Sequence, residues 1–216
     1  LAAVGSSAPV INLLVSFFMG LSVGAGVIIS RYFGARNMES LQDSIHTSLA
    51  LTMTAGIFMT LFGIIFSPTI LRWIGTPSDV MSSSVLYLRI YFGGILSVML
   101  YNMGSGILRA VGDSKNPLYF LIVSSITNIL LDLLFVIVFD MGIAGVGWAT
   151  LIAQTISAVL TLLLLIKTKQ EYKVTLKKIR FHKDKLIEII RLGLPSGIQN
   201  GVVSFSNVIV QSNINA

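Results

Sequence analysis

Apolar residues dominate six long stretches of the chain, which shorter polar segments separate. Each stretch has roughly the 20 residues that an α-helix needs to cross a hydrocarbon layer ~30 Å thick. Membrane-spanning strands would instead appear as ~10-residue segments of alternating hydrophobicity, a pattern this sequence lacks. The pattern therefore predicts six membrane helices, over residues 9–30, 47–71, 85–108, 118–139, 145–166 and 192–216.

The composition favours lipid as the surrounding solvent. Of the 216 residues, 54% are hydrophobic and 11% are charged, and the mean hydropathy is +0.86. Soluble domains carry about 25% charged residues, and a soluble core of this size could not bury so much apolar surface. The absence of cysteine excludes disulfides, cysteine-ligated zinc and thiol catalysis. Because the chain starts at Leu1 and stops at Ala216 inside an apolar run, we expect a fragment of a longer protein.

The basic residues predict the orientation of the helices. Of the 15 Lys and Arg residues, 13 follow the first, third or fifth apolar run, and only Arg72 and Arg89 lie elsewhere. Loops that alternate along the chain lie on one side of the membrane, and an excess of Lys and Arg marks the cytoplasmic side. We therefore expect a multi-pass protein of the cell membrane with its basic loops in the cytoplasm. This topology explains the net charge of +6 without a nucleic-acid partner.

The segment between the fifth and sixth runs combines many basic residues with spaced apolar ones. It predicts a connector whose end, over about residues 183–192, forms an amphipathic helix on the inner membrane surface. A solvated loop carrying cytoplasmic charge is the alternative interpretation. The basic residues are Lys167, Lys169, Lys173, Lys177, Lys178, Arg180, Lys183, Lys185 and Arg191.

Asp132 is the strongest candidate for chemistry because it lies inside the fourth apolar run. An ionised carboxylate at membrane depth costs at least ~2.5 kcal/mol and usually marks a functional site. Asn128 lies one turn earlier on the same face, and the pair can bind a proton or a small cation. Thr150 lies at similar depth on the next, antiparallel helix and can face Asp132. The structural alternatives are a polar clamp between helices and, for Thr150, a hydrogen bond to its own helix.

The third run carries a second polar set. Asn102 and Ser105 share one face, and Tyr87 lies near the predicted outer end. An amide inside a membrane must find a partner, so Asn102 lines a polar cavity or links two helices, and both interpretations stay open.

An enzyme-like motif occurs in the first run. Residues 20–24 match G-x-S-x-G, which in hydrolases needs a strand-to-helix turn, but here the motif lies within a predicted helix. The two histidines, His46 and His182, lie at or beyond the predicted inner surface, too far away to assist that serine. The same residues also match G-x-x-x-G, a helix-packing motif. No H-E-x-x-H motif or P-loop occurs, so the sequence disfavours catalysis.

Several motifs, in order along nearly the whole chain, are similar to those of the multidrug and toxic compound extrusion (MATE) family. Residues 104–117, GSGILRAVGDSKNP, resemble that family's G-x-L-R-x-x-G-D-x-x-x-P loop. Other pieces of the chain resemble the family too; each piece, the loop included, is weak alone, and the set is specific. Residues 24–27 with 31–35 resemble the end of the family's second helix. Residues 128–132 resemble its fifth helix and residues 142–150 its sixth. Residues 192–195 resemble the start of its seventh helix.

The resemblance implies an all-α polytopic membrane protein, with a MATE-like six-helix lobe represented by helices two to six and the start of a second lobe. Residues 1–166 would be the N-lobe helices, 167–191 the cytoplasmic connector, and 192–216 the truncated first C-lobe helix. The missing second half of the same chain would then be its partner within the lipid bilayer. We expect the complete protein to be a monomer.

The resemblance also implies a secondary antiporter that exports cationic or amphipathic drugs or metabolites in exchange for H⁺ or Na⁺ by alternating access. The coupling ion would be held by Asp132, Asn128 and Thr150, with Na⁺ at the first two, and no cofactor is expected. Tyr87, Asn102 and Ser105 would line the cavity, although Ser105 stands where the family has Asn.

Other functions remain as alternatives. A lipid-linked precursor flippase of related architecture usually has several basic residues in its cavity, whereas these spans hold only Arg89. A membrane-embedded enzyme would need placed His, Cys or paired carboxylates, and a non-transporting scaffold would have no use for Asp132.

Overall fold

Six α-helices make up the described part of the chain. The computed structural model describes the backbone of residues 2–73 and 75–214 and the side chains of residues 15, 16, 18–73 and 75–203. No strand occurs within these backbone ranges. The helices are α1 (Ala2–Gly34), α2 (Met38–Trp73), α3 (Ser78–Ala110), α4 (Lys115–Leu133), α5 (Gly142–Lys167) and α6 (Lys183–Ile214); a π-helical turn (Leu134–Val138) extends α4, and a 3-10 turn (Leu176–Lys178) precedes α6.

Four of these helices are long and apolar enough to cross a membrane: Met38–Trp73, Ser78–Ala110, α4 with its π-helical turn (Lys115–Val138), and Gly142–Lys167. They correspond to the second to fifth predicted spans and confirm the prediction of an all-α membrane protein. In α1 the described apolar part is the shorter stretch Phe18–Gly34. The first and sixth predicted spans lie partly outside the described side chains, at residues 9–14 and 204–216.

The helices pack as an antiparallel bundle in which α3 and α5 run side by side in the same direction. Short turns join α1 to α5 in succession, and Arg36 and Gly112 adopt positive φ angles of 53° and 91° in two of them. Residues 35–37, 111–114 and 168–182 connect the helices at one end of the bundle, which we call the basic end. It carries the loops that the sequence predicts to be cytoplasmic.

Two clusters of buried apolar side chains hold the bundle together, one toward each end. The larger cluster lies at the basic end and includes Ile28, Ile45 and Ile107 from three different helices. It also includes Val174 of the connector and Ile189 of α6. The connector is therefore anchored in the core at this point. The smaller cluster, toward the opposite end, consists of Leu71, Leu88, Phe92, Ile95 and Met99.

Helices α1 and α6 cross at very close range because glycines face each other. A Cβ atom added at Gly20 would overlap the backbone of Gly197, and one added at Gly24 would overlap that of Gly193. The G-x-x-x-G motif of α1 therefore acts in packing, as the sequence predicts. Its partner is a second motif of the same spacing in α6, which the sequence analysis missed.

The prediction of a separate surface helix over residues 183–192 is wrong. Helix α6 continues from Lys183 to Ile214 without a break, so the predicted boundary at residue 192 falls inside it. The physical reason is packing, because Ile189 and Gly193 on successive turns both face α1 and the core. Pro68 and Pro195 lie inside α2 and α6.

Candidate functional site

The carboxylate site, which we define as Asp132 with Asn128, lies on α4 and contains two unsatisfied buried atoms. The Oδ1 atom of Asp132 and the Nδ2 atom of Asn128 are inaccessible to solvent, and neither has a hydrogen-bond partner among the described residues. The two side chains lie one helical turn apart on the same face, as the sequence predicts. A buried, unpaired anionic oxygen is costly, so this site favours uptake of a proton or a cation.

Tyr87 of α3 lies on the same side of the bundle as the carboxylate site. It is only 7% exposed, and it lies close enough to the Asp132 carboxylate for the two groups to interact electrostatically. Because Tyr87 belongs to a different helix, this interaction places Asp132 toward the α3 side of α4. Helix α4 otherwise has few buried residues, among them Ser124. The polar face of α4 is thus directed into the bundle while its apolar residues remain exposed.

Two contacts between α4 and α5 fix the position of Thr150 along the bundle axis relative to the residues of α4. The Ser124 hydroxyl donates to the Ala153 carbonyl at 2.8 Å, and further along α4 the Cβ position of Gly145 abuts Phe135. Interpolation between these contacts places Thr150 at the same height along the bundle axis as Asn128. Asp132 lies one helical turn, or about 5 Å, further along that axis. Thr150 has no hydrogen bond to either side chain in the described part of the chain, so its role at this site stays a prediction.

The π-helical turn begins two residues after Asp132, a feature the sequence analysis did not predict. Over Leu134–Val138 the hydrogen bonds widen, and the Phe139 N–H donates to the Leu134 carbonyl at 3.1 Å. Such turns are rare and often occur at functional sites, because the extra residue reorients side chains around it. No glycine or proline lies within this turn to signal it in the sequence.

A groove between α1 and α3 opens toward the basic end. Its volume is about 390 Å³, within the range of small-molecule sites. The exposed apolar side chains Met19, Val23 and Val27 form one wall. Ser22, Ser30, Asn102 and Arg109 add polar groups, and Gly26, Gly106 and Ala110 complete the lining. We call this cavity the α1–α3 groove.

The structure separates the predicted cavity residues. Asn102 lines the α1–α3 groove, and its Nδ2 donates to the Val98 carbonyl of its own helix at 2.9 Å. Ser105 is fully buried, and its Oγ has no partner among the described side chains and backbone. Tyr87 lies fifteen residues before Asn102 on α3, about 22 Å along the helix axis. Tyr87 thus belongs near Asp132, and Asn102 belongs to the groove.

Sequence reasoning missed Ser84, which lies one turn before Tyr87 on α3. Its hydroxyl is completely buried and lacks a hydrogen-bond partner in the described part of the molecule. Its spacing of three residues from Tyr87 places the two side chains on neighbouring positions of one face. That spacing is the signal from which Ser84 could have been added to the candidate residues.

No group of three or more His, Cys, Asp or Glu side chains able to hold a metal ion occurs in the described residues. Sodium at Asp132 and Asn128 therefore stays a prediction.

Comparison with known proteins agrees with this architecture. The family model described as MatE matches residues 1–134. The "Probable multidrug resistance protein YoeA" of Bacillus subtilis (strain 168) is 36% identical over 222 residues, covering 99% of this chain and 48% of the relative. The chain thus spans about half the length of this relative.

Two solved structures are also similar, and each describes a multidrug resistance MATE family transporter of the MOP superfamily. The outward-facing conformation matches with a TM-score of 0.90 and 28% identity, over 98% of this chain and 47% of that structure. The inward-facing conformation matches with a TM-score of 0.88 and 28% identity, over 95% and 47%.

Proposed function

The chain belongs to the MatE family of transporters, and from that premise we propose that it is the N-lobe of a secondary antiporter. The complete protein exports cationic or amphipathic drugs or metabolites in exchange for H⁺ or Na⁺, and it works by alternating access. The lobe comprises residues 1–166, the connector follows, and α6 begins the second lobe.

The observation that carries this proposal is the unpaired, buried Oδ1 atom of Asp132 beside the unpaired Nδ2 atom of Asn128. A structural clamp would leave these atoms hydrogen-bonded to a neighbouring helix, and no such bond forms within the described residues. A proton or cation at Asp132 removes the uncompensated charge, and its release restores that charge. Because loading changes the electrostatics between α4 and Tyr87 of α3, it biases one arrangement of the lobe over another.

The α1–α3 groove supplies the substrate path. Met19 provides a flexible thioether, and Val23 and Val27 provide a stiffer apolar wall, which together suit aromatic and amphipathic compounds. Tyr87, beside the carboxylate site, and Asn102, in the groove, lie about 22 Å apart along α3. This separation supports antiport in which the ion and the substrate do not compete for the same atoms.

Alternating access is supported by the similarity to both transporter conformations. The TM-scores to the outward-facing and inward-facing structures are 0.90 and 0.88, so this half of the fold fits both states about equally. Alternating access in which the N-lobe moves with little internal change accounts for that result.

A flippase for lipid-linked precursors is the second candidate function, and Arg109 in the groove is the observation that favours it. Such precursors carry phosphate groups, which a cation would bind. Among the groove's lining residues Arg109 is the single charged side chain, so the antiport proposal remains stronger. Retention of drug efflux by Arg109→Gln would support antiport, whereas accumulation of lipid-linked precursor in cells carrying that variant would favour the flippase.

The decisive experiment measures ethidium efflux from cells that express the full-length protein and lack other exporters. We expect Asp132→Asn to reduce efflux at least ~10-fold, since the amide cannot exchange a proton or bind Na⁺ as a carboxylate does. Asp140→Asn is the matched control, because Asp140 is exposed, lies in the next loop and has a φ of 50° that asparagine tolerates. Normal efflux by Asp132→Asn at equal expression would remove Asp132 from the mechanism. Everted vesicles energised by a proton or a sodium gradient then identify the ion.

A further inference from the structure

We propose that the basic end holds a binding site for a zwitterionic phospholipid headgroup of the phosphoethanolamine type. The site is a pocket between the first turns of α2 and residues 177–182 of the connector, which we call the headgroup pocket. This inference is independent of the proposed transport function, because it concerns a surface remote from the carboxylate site.

The headgroup pocket has a volume of about 470 Å³ and two walls of opposite charge. Helix α2 contributes the acidic wall with Glu39 and Asp43. The connector contributes the basic wall with Lys177, Lys178 and Arg180. A ligand that carries one negative and one positive group can therefore be bound at both ends, whereas a simple anion would be repelled by the acidic wall.

The charges that line the pocket are mostly not neutralised by one another. Within the described residues, Glu39, Lys177 and Lys178 form no ion pair and no side-chain hydrogen bond. Asp43 lies 3.3 Å from Nε2 of His182, and the Arg180 Nε donates to the same nitrogen at 3.0 Å. Glu39 on the acidic wall and Lys177 and Lys178 on the basic wall thus remain available to a ligand.

Hydrogen bonds hold the connector in place and so organise the pocket before a ligand binds. The Thr175 N–H donates to Nε2 of the buried His46 at 3.1 Å. The His182 N–H donates to the Thr47 hydroxyl at 3.1 Å. The Val174 N–H donates to the Leu165 carbonyl at 2.8 Å, and Val174 is buried. Because the backbone is fixed on both sides of Lys177 and Lys178, binding a ligand costs little conformational entropy.

The position of the pocket favours a lipid over a soluble ligand. Helix α2 has 36 residues and is about 54 Å long, so it extends well beyond a ~30 Å hydrocarbon layer. Its first turns then lie at the depth of the lipid headgroups. Two exposed apolar side chains flank the basic wall, Leu176 at 63% and Phe181 at 47% exposure. They can contact the glycerol and upper acyl region of the same lipid.

The chemistry distinguishes among phospholipids. The primary ammonium of phosphatidylethanolamine can donate hydrogen bonds to Glu39 and Asp43 while its phosphate meets Lys177 and Lys178. The quaternary ammonium of phosphatidylcholine has no N–H to donate. Phosphatidylglycerol has no cation for the acidic wall. We therefore expect phosphatidylethanolamine to bind more tightly than either of the other two.

Native mass spectrometry of the delipidated full-length protein, titrated separately with dioleoyl forms of the three lipids, tests this proposal. We expect the double variant Lys177→Gln/Lys178→Gln to weaken phosphatidylethanolamine binding ~10-fold, and Glu39→Gln to weaken it ~3-fold, the range of partly exposed charge pairs. Glu39→Gln should leave phosphatidylglycerol binding unchanged or stronger. Lys169→Gln and Glu171→Gln are matched controls, since these side chains belong to the same connector but do not line the pocket.

Competition by soluble phosphoethanolamine and by inorganic phosphate distinguishes a headgroup from a free anion. Displacement by phosphoethanolamine but not by phosphate at equal concentration supports the proposal, and equal displacement by both overturns it. Equal binding of the three lipids, a preference for phosphatidylglycerol, or equal losses in the control variants would overturn it as well. Unchanged thermal midpoints of the variants establish that the comparison concerns folded protein.

Discussion

The hydroxyl of Tyr32 on α1 lies 3.1 Å from both carboxylate oxygens of Glu188 on α6, to which it donates a hydrogen bond. The same hydroxyl accepts hydrogen bonds from Lys185 at 2.7 Å and from Arg31 at 2.9 Å. Arg31 also forms an ion pair with Glu188 at 2.8 Å. One phenol oxygen therefore connects three charged groups from two helices that belong to the separate halves of the proposed transporter.

Tyr32→Phe should weaken this contact while keeping the ring that lies beneath the Lys185 ammonium. We expect a loss of about 1 kcal/mol in stability, the usual net value of an intramolecular hydrogen bond. Double electron–electron resonance between spin labels at positions 35 and 191 of the full-length protein should show a longer or broader distance distribution. Tyr119→Phe is the control because Tyr119 is exposed at the same end of the bundle. An unchanged distribution for Tyr32→Phe would show that the contact does not hold the two halves together.

Gly24→Ala should force α1 and α6 apart, because the new Cβ would overlap the backbone of Gly193. Overpacking of this kind costs about 1–3 kcal/mol. Gly34→Ala is the matched substitution, since Gly34 ends the same helix and nothing lies within 4 Å of its Cβ position. Thermal unfolding of the full-length protein in detergent should therefore show a lower midpoint for Gly24→Ala only. Equal unfolding midpoints of the two variants would mean that α1 and α6 do not cross this closely in the full-length protein.

Asn128→Leu should reduce coupled transport ~10-fold, because the carboxylate site loses the amide one turn from Asp132. Drug uptake into everted vesicles under an imposed ion gradient measures the effect. Thr127→Val serves as the control, since the Thr127 hydroxyl is bonded to the Val123 carbonyl of its own helix at 2.8 Å. If Thr127→Val is impaired as strongly as Asn128→Leu, the loss reflects damage to α4 and not to the site.

Asp113→Ala should destabilise the turn between α3 and α4 by about 1 kcal/mol, the usual cost of losing a helix cap. The Asp113 carboxylate accepts a hydrogen bond from the Asn116 N–H at 3.1 Å and another from the Asn116 amide at 2.6 Å. Ser114→Ala should have little effect, because the Ser114 side chain makes no capping hydrogen bond. Chemical denaturation monitored by circular dichroism compares the two variants, and a similar loss in both would contradict the assignment of the cap to Asp113.

Much of the fold can be predicted from local sequence patterns. Particular residues show where such prediction fails. The apolar runs predict α2 to α5, and the pairing of Asn128 with Asp132 on one face follows from helical spacing alone. The continuity of α6 through residue 192 does not follow, because the basic residues before that point suggest a surface segment. Contacts of Ile189 and Gly193 with α1 outweigh that local signal. The π-helical turn after Asp132 likewise could not be predicted, because no glycine or proline within it signals the turn.

The number and direction of the central helices and the carboxylate at membrane depth can be predicted without a structure, since hydropathy and helical periodicity are properties of neighbouring residues. Which polar groups lie close together depends instead on the packing of the helices. That packing brings Tyr87 near Asp132, moves Asn102 into a separate groove, and places the connector's Lys177 and Lys178 opposite Glu39. These relationships depend on how helices distant in the chain align and cross, and no local pattern encodes that alignment.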